Sequence, residues 1–219
     1  MTSQSTQLII SDLELDALTE LVNLGVSQAA MSLRGMVEQQ VVLSVTEVSL
    51  ISRERAVEIL GLAEPRTLVA VHQTFEGDIA GRALLIFPEA KSFELVRAVI
   101  KADLPLEDII ELEQEALAEI GNIILNNCLS TIANQLRRTL KISLPEILRG
   151  DGRTLFNLPP PPVSGDQVLF VYINFLIRER DLTGYIAMMM DMPSLTALRD
   201  LLRQYISRET GELTPEVDA

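Results

Sequence analysis

The sequence predicts an α/β domain that is internally duplicated, with pseudo-twofold symmetry, and three observations predict it. Two long stretches, at about 12–37 and 112–140, carry the apolar periodicity of amphipathic helices. Each is followed in turn by a strand-like segment, a hairpin and a further helix. A polar trio at helical spacing occurs in both long stretches. At 219 residues and 47% hydrophobic, the chain can bury a substantial core.

Taken in order, residues 1–11 are polar and expected to be a flexible N-terminus. Ser11 and Glu14 have the form of a capping box, and Leu18, Leu21, Val22, Val26, Ala29 and Leu33 carry the first helix to about Val37. Residues 40–48 are rich in β-branched side chains and predict a strand; 53–62 predict a short helix or turn stopped by Gly61 and Pro65. Strands at 67–75 and 79–87 meet at Glu76, Gly77 and Asp78, a hairpin, and Pro88 opens a helix toward Ala102.

Asp103, Glu107, Asp108, Glu111 and Glu113 read as a solvated acidic approach to the positive end of the second long helix. That helix is expected to run from 112 to about 140, closed by Arg137, Arg138 and Lys141. A strand follows around Pro145. Residues 150–165, with three glycines and the prolines at 159–162, read as a loop or insertion. Strands at 167–177 and 182–190 form a second hairpin, with Met188, Met189 and Met190 in a buried strand. A last helix at 194–206 precedes a flexible tail at 206–219. The expected organisation is thus one domain at 12–205, made of repeats at about 12–102 and 112–205.

Direct comparison supports the repeat. Asp78-Ile79-Ala80-Gly81 in the first hairpin matches Asp181-Leu182-Thr183-Gly184 in the second, 103 residues later, and Asp16, Glu20 and Asn23 match Glu115, Glu119 and Asn122, 99 residues later. On a helix, i, i+4 and i+7 fall within a narrow arc, so each trio shares one face. The plain reading is an exposed face inherited twice. The sharper one is functional, because a carboxamide beside a carboxylate can orient a water and meet a cation on a partner. Asn is neither acid nor base near neutral pH. The pair therefore suits positioning, enough to speed hydrolysis of a labile acyl phosphate whose own protein supplies metal and lysine.

Composition narrows the alternatives. Eighteen Lys and Arg against 31 Asp and Glu leave a net charge of −13, which repels nucleic acid and anionic lipid heads. One cysteine, Cys128, and one histidine, His72, exclude a zinc site of His and Cys within one chain. His72 lies in a strand-like segment and reads as structural or surface. No phosphate-cradling glycine motif occurs. No apolar run is long enough to span a bilayer, and a soluble, cytoplasmic protein without membrane insertion is expected.

The residues then carry a family resemblance. Glu119-x2-Asn122-x22-Pro145 resembles the signature Asp/Ser-x3-Glu-x2-Asn-x22-Pro of the CheC, CheX and FliY chemotaxis phosphatases, with Glu115 where Asp or Ser is usual. The first copy reads Asp16-x3-Glu20-x2-Asn23, with Thr46 where proline would stand. Glu76 to Gly81, followed by Leu84-Leu85-Ile86-Phe87-Pro88, is similar to the CheC hairpin. The resemblance spans about 12–205. It implies two long helices packed on one side of a mostly antiparallel sheet built from both repeats. It implies a phosphatase of phosphorylated CheY or a related response regulator. Asn23 and Asn122 would place the attacking water, Glu20 and Glu119 would pair with the regulator's lysine, and Asp16 and Glu115 would have supporting roles. No cofactor of its own is implied, Mg²⁺ belonging to the bound regulator. The other reading is a non-catalytic binding module, a partner of the CheD deamidase or a component near the flagellar switch, and the departures Thr46 and Glu115 favour it.

Overall fold

The computed structural model describes residues 8–37, 41–63, 67–99, 106–157, 167–177 and 180–211. The first repeat supplies α1 (Asp12–Val37), β1 (Val41–Ser52), α2 (Arg53–Ala63), β2 (Leu68–Gly77), β3 (Gly81–Pro88) and α3 (Glu89–Val99). The second supplies α4 (Leu106–Gln135), β4 (Leu140–Ile142), β5 (Glu146–Gly150), α5 (Gly152–Phe156), β6 (Gln167–Ile177), β7 (Arg180–Met190) and α6 (Met192–Thr210).

One seven-stranded sheet runs β1-β6-β7-β3-β2, with β4 and β5 both pairing with β2, and every pairing is antiparallel. Exchanging β1, β2 and β3 with β5, β6 and β7 reverses this order and otherwise leaves it unchanged. That is the strand order a pseudo-twofold arrangement requires, with its axis between β3 and β7. Each repeat's first strand pairs with the other repeat's hairpin, so neither sheet half is complete by itself.

Alternation along the strands sends Val69, Val71, Phe75, Leu169, Val171, Ile173 and Phe175 to one face and Leu68, Ala70, Val168 and Phe170 to the other. The first face packs beneath α1, α3, α4 and α6. The second is covered by α2 and α5, through Ala56, Leu60, Leu155 and Phe156. Both long helices therefore lie on one side, as expected. Met188 and Met190 fill the helix-side core and Met189 the opposite one.

The helix starts and stops follow local chemistry. Ser11 N donates to Glu14 Oε2 at 2.7 Å, and Glu14 N to Ser11 Oγ at 3.4 Å, so the capping box is closed. The second long helix begins earlier than expected, at Leu106, and stops earlier, at Gln135. Arg137 adopts φ 57°, and the Arg138 N–H reaches Ala133 O at 2.8 Å while the Arg137 N–H reaches Asn134 O at 3.0 Å. This Schellman closure, here without a glycine, places Arg137 and Arg138 beyond the helix. Within 150–165, expected to be a loop, Gly152–Phe156 forms the short helix α5, with Asp151 Oδ1 accepting from Thr154 N at 2.7 Å. The prolines at 159–162 lie outside the described residues. Of residues 1–11, Leu8 is buried and exchanges two hydrogen bonds with the side chain of Gln167, and the last helix continues to Thr210.

One expectation is overturned. Glu113 is not part of a solvated approach: it is buried, accepting from Ser92 Oγ at 2.6 Å and from Arg149 Nη2 at 2.5 Å. Both oxygens of this carboxylate find donors, which offsets the cost of placing it under α3.

Candidate functional site

Both polar trios stand on the outer faces of the paired long helices. In α1, Leu18, Leu21, Val22 and Val26 are buried, which leaves Asp16, Glu20 and Asn23 in solvent. In α4, the buried set is Leu117, Ile120 and Ile124; Glu115 and Glu119 are exposed and Asn122 is half-buried. The helices touch closely enough that a Cβ on Gly25 would lie 2.7 Å from the Cα of Cys128. Glycine is needed there. Across the same contact Thr131 Oγ1 donates to Gln28 Oε1 at 2.9 Å.

Beside α4 the first and last signature positions, Glu115 and Pro145, come together. Gln114, Glu115 and Ala118 from the helix and Pro145, Glu146, Ile147 and Leu148 from β5 and its approach line an open cleft of about 750 Å³. Glu115 and Pro145 thus meet across one cleft although 30 positions separate them in the chain. Leu144, beside Pro145, is 85% exposed and offers an apolar knob at the rim.

Asn122 is held from beneath. A Cβ on Gly121 would come within 2.5 Å of the Val71 side chain, so α4 rests directly on β2 and brings Asn122 over Gln73. Asn122 Oδ1 accepts from Gln73 Nε2 at 3.2 Å and from Asn126 Nδ2 at 2.7 Å, and Gln73 Nε2 also donates to the Ser143 carbonyl at 2.8 Å. Gln73, Asn126 and Ser143 were not among the residues expected at the site. Asn126 could have been found, standing one turn beyond Asn122 on the same stripe; a polar Gln73 within an apolar strand was the other signal.

No such support surrounds the α1 trio. Among the described residues no hydrogen bond holds the Asn23 amide. Its structural counterparts explain this. Phe75 and Ile173 pair with Gly81 and Gly184 respectively, so Gln73 corresponds to Val171, a fully buried apolar side chain. By the same registers Thr74 corresponds to Tyr172. Ser143 N donates to Thr74 O at 2.9 Å, and Thr46 Oγ1 donates to Tyr172 O at 3.5 Å from the bulge in β1. Thr46 is therefore the counterpart of Ser143 rather than of Pro145, whose place falls two residues on, at Val48.

The remaining reactive side chains stand apart. His72 points to the opposite sheet face, Nδ1 lying 3.4 Å from Glu146 Oε2; burial lowers its pKa despite that carboxylate, which keeps the ring neutral near pH 7. Cys128 is buried between the long helices, where burial pushes its pKa up to about 12, so it supplies no thiolate. Tyr205 of α6 has a raised pKa, first from burial and then from Glu20 and Glu209, which marks the negative potential around the α1 trio. Among the described residues no three His, Cys, Asp or Glu side chains cluster to hold a metal ion, and no helix is long and apolar enough to cross a membrane.

The profile of the family described as chemotaxis phosphatase CheX matches residues 69–173, from β2 into β6, and so includes α4 with Glu115, Glu119 and Asn122. Over 141 residues, 63% of this chain and 67% of the relative, the sequence is 26% identical to the CheY-P phosphatase CheC of Bacillus subtilis (strain 168). The chain is similar to the CheC-like proteins over this stretch. The fold is similar to that of Thermotoga maritima FliY, with a TM-score of 0.69 at 16% identity over 92% of this chain and 100% of that one. It is likewise similar to a structure of the FliM–SpeE complex from H. pylori, with a TM-score of 0.64 at 10% identity over 90% of this chain and 98% of that one. The first trio, on α1, lies outside the stretch that the CheX profile matches. Its likeness to the α4 trio is one of spacing and strand order.

Proposed function

We propose that this chain accelerates hydrolysis of the aspartyl phosphate of a phosphorylated response regulator, CheY or a relative. The observation that carries the proposal is the Glu-x2-Asn pair on the outer face of each long helix, exposed in α1 and with a half-buried Asn122 in α4, in a chain similar to the CheC-like proteins. In this reading one long helix docks over the regulator's phosphorylation site. Glu119 or Glu20 pairs with the regulator's active-site lysine, which fixes the orientation of the docked pair. Asn122 or Asn23 holds a water in line with the acyl phosphate. The water oxygen forms a bond to phosphorus while the bond to the aspartyl oxygen breaks, giving inorganic phosphate and a free carboxylate. Neither Glu nor Asn takes up covalent chemistry, and the regulator's Mg²⁺ balances the phosphoryl charge. Glu115 and Asp16 support docking at their ends of the two helices, Glu115 from the wall of the cleft it shares with Pro145. The setting is cytoplasmic, where such regulators act.

The reading is tested by the lifetime of a phosphorylated CheY-type regulator with and without the protein. Asn23→Ala combined with Asn122→Ala is expected to abolish the shortening of that lifetime while circular dichroism and Tm stay unchanged. Acceleration that survives the double substitution overturns the assignment.

A second reading is a non-catalytic module that binds a partner such as CheD or a flagellar-switch component. The FliY and FliM likenesses favour it, as do the two internal hydrogen bonds that occupy Asn122 Oδ1. A pure binder leaves the phosphoregulator's lifetime unchanged or lengthens it.

A further inference from the structure

Gln73 contributes an unusual polar group to an otherwise apolar layer. It is wholly buried on the helix side of β2 between Val71 and Phe75, and its Oε1 has no hydrogen-bond partner. An orphaned buried carbonyl is costly. The sheet itself does not require it, since the corresponding position in the other repeat is Val171. What Gln73 gains is confined to its nitrogen.

The orientation of the whole amide chain follows from one fixed group. The Ser143 carbonyl can only accept, so the atom of Gln73 facing it at 2.8 Å is Nε2. The second hydrogen on Nε2 is then directed to Asn122, 3.2 Å away, rather than to Asn126 Oδ1 at 3.5 Å. Asn122 must present Oδ1 to this donor. Asn126 Nδ2 adds a second hydrogen bond to the same oxygen at 2.7 Å. The Asn122 oxygen is thereby turned inward and its Nδ2 is left facing solvent.

We infer that Gln73 is a positioning residue that fixes the Asn122 carboxamide with its NH₂ outward, making the α4 site preorganised and the α1 site, with Asn23 untethered, not. This rests on the proposed phosphatase reading. An outward NH₂ holds a water through one lone pair and leaves the other free to attack phosphorus. A tethered amide also loses less rotamer entropy on docking than a free one.

The test uses the intact 219-residue chain in two backgrounds. Gln73→Met is close to isosteric and keeps the layer filled without the donor. In an Asn23→Ala background, where only the α4 site works, it is expected to lower the maximal dephosphorylation rate about fivefold, the loss of one ordinary hydrogen bond, with little change in the regulator concentration at half-maximum. In an Asn122→Ala background the remaining activity of the α1 site is the internal reference for fold and should not change. An equal fall in both backgrounds shows a merely structural Gln73 and overturns the inference, as does no fall in either.

A second measurement stands apart from activity. Side-chain three-bond couplings of Asn122 should report one χ1 rotamer in the native protein and averaging in Gln73→Met, while those of Asn23 are averaged in both. Averaged Asn122 couplings in the native protein overturn the inference. If the native protein accelerates nothing, the phosphatase reading falls and the couplings alone decide the tether.

Discussion

Glu14 and Glu113 are 99 positions apart, the same spacing that relates the two polar trios, and both are buried and paired. Glu14 receives the Ser11 N–H and Arg203 Nε at 2.5 Å; Glu113 receives Ser92 and Arg149. Burial by itself would raise the Glu14 pKa, but the Ser11 N–H and then Arg203 outweigh it, holding the carboxyl below the ordinary glutamate range. A carboxyl whose pKa is depressed on folding stabilises the native state above its unfolded pKa, and this contribution is lost as pH falls through the folded value. Glu14→Gln is therefore expected to cost about 1 to 3 kcal/mol near pH 7 and less as pH drops below the ordinary glutamate range, read from urea unfolding across pH 3 to 7. A cost that does not change with pH rules out the charged pairing. The capping box was legible in the sequence because its partners are three residues apart. The Arg203 contact, spanning 189 positions, was not.

At the scale of elements, the contact between α1 and α4 sets how the two trios are presented. The long helices meet through Gly25 and Cys128, backbone against backbone, and a backbone cannot swing aside as a side chain can. Gly25→Ala is expected to force the helices apart and lower stability by about 1 to 3 kcal/mol, despite the better helix propensity of alanine. Thermal unfolding checks this: a Tm equal to or above the native value means that the helices do not pack this closely. The periodicity of both helices could be read directly, and so could most strands, since alternation and β-branching are local properties. Boundaries shifted where tertiary groups intervened. Arg137 and Arg138 looked like cations of a final helical turn, whereas the αL residue Arg137 ends the helix before them. The short α5 was hidden by the glycines around it, although Asp151 and Thr154 carried a capping signal.

For the whole molecule, strand exchange between repeats is the decisive feature. β1 pairs with β6 and β5 with β2, so each repeat closes the sheet half of the other. The halves are expected to be mutually dependent for folding. Fragments 1–102 and 103–219, made separately, should lack fixed tertiary structure, and the intact chain should unfold in one transition by circular dichroism and by calorimetry. Two resolved transitions, or a fragment that folds alone, would contradict the interlocked sheet.

By itself the sequence determined the two long helices, the two hairpins, the repeat and the residues Asp16, Glu20, Asn23, Glu115, Glu119 and Asn122 on matching faces. All of these depend on spacing along one element or on comparison of one stretch with another. Only the tertiary structure decided what lies beneath the two asparagines. Gln73 reaches Asn122 from 49 positions away, while the corresponding place under Asn23 is filled by Val171. Helical spacing specifies which side chains share a face. It does not specify which strand passes under that face, and the difference between a tethered and an untethered amide arises there.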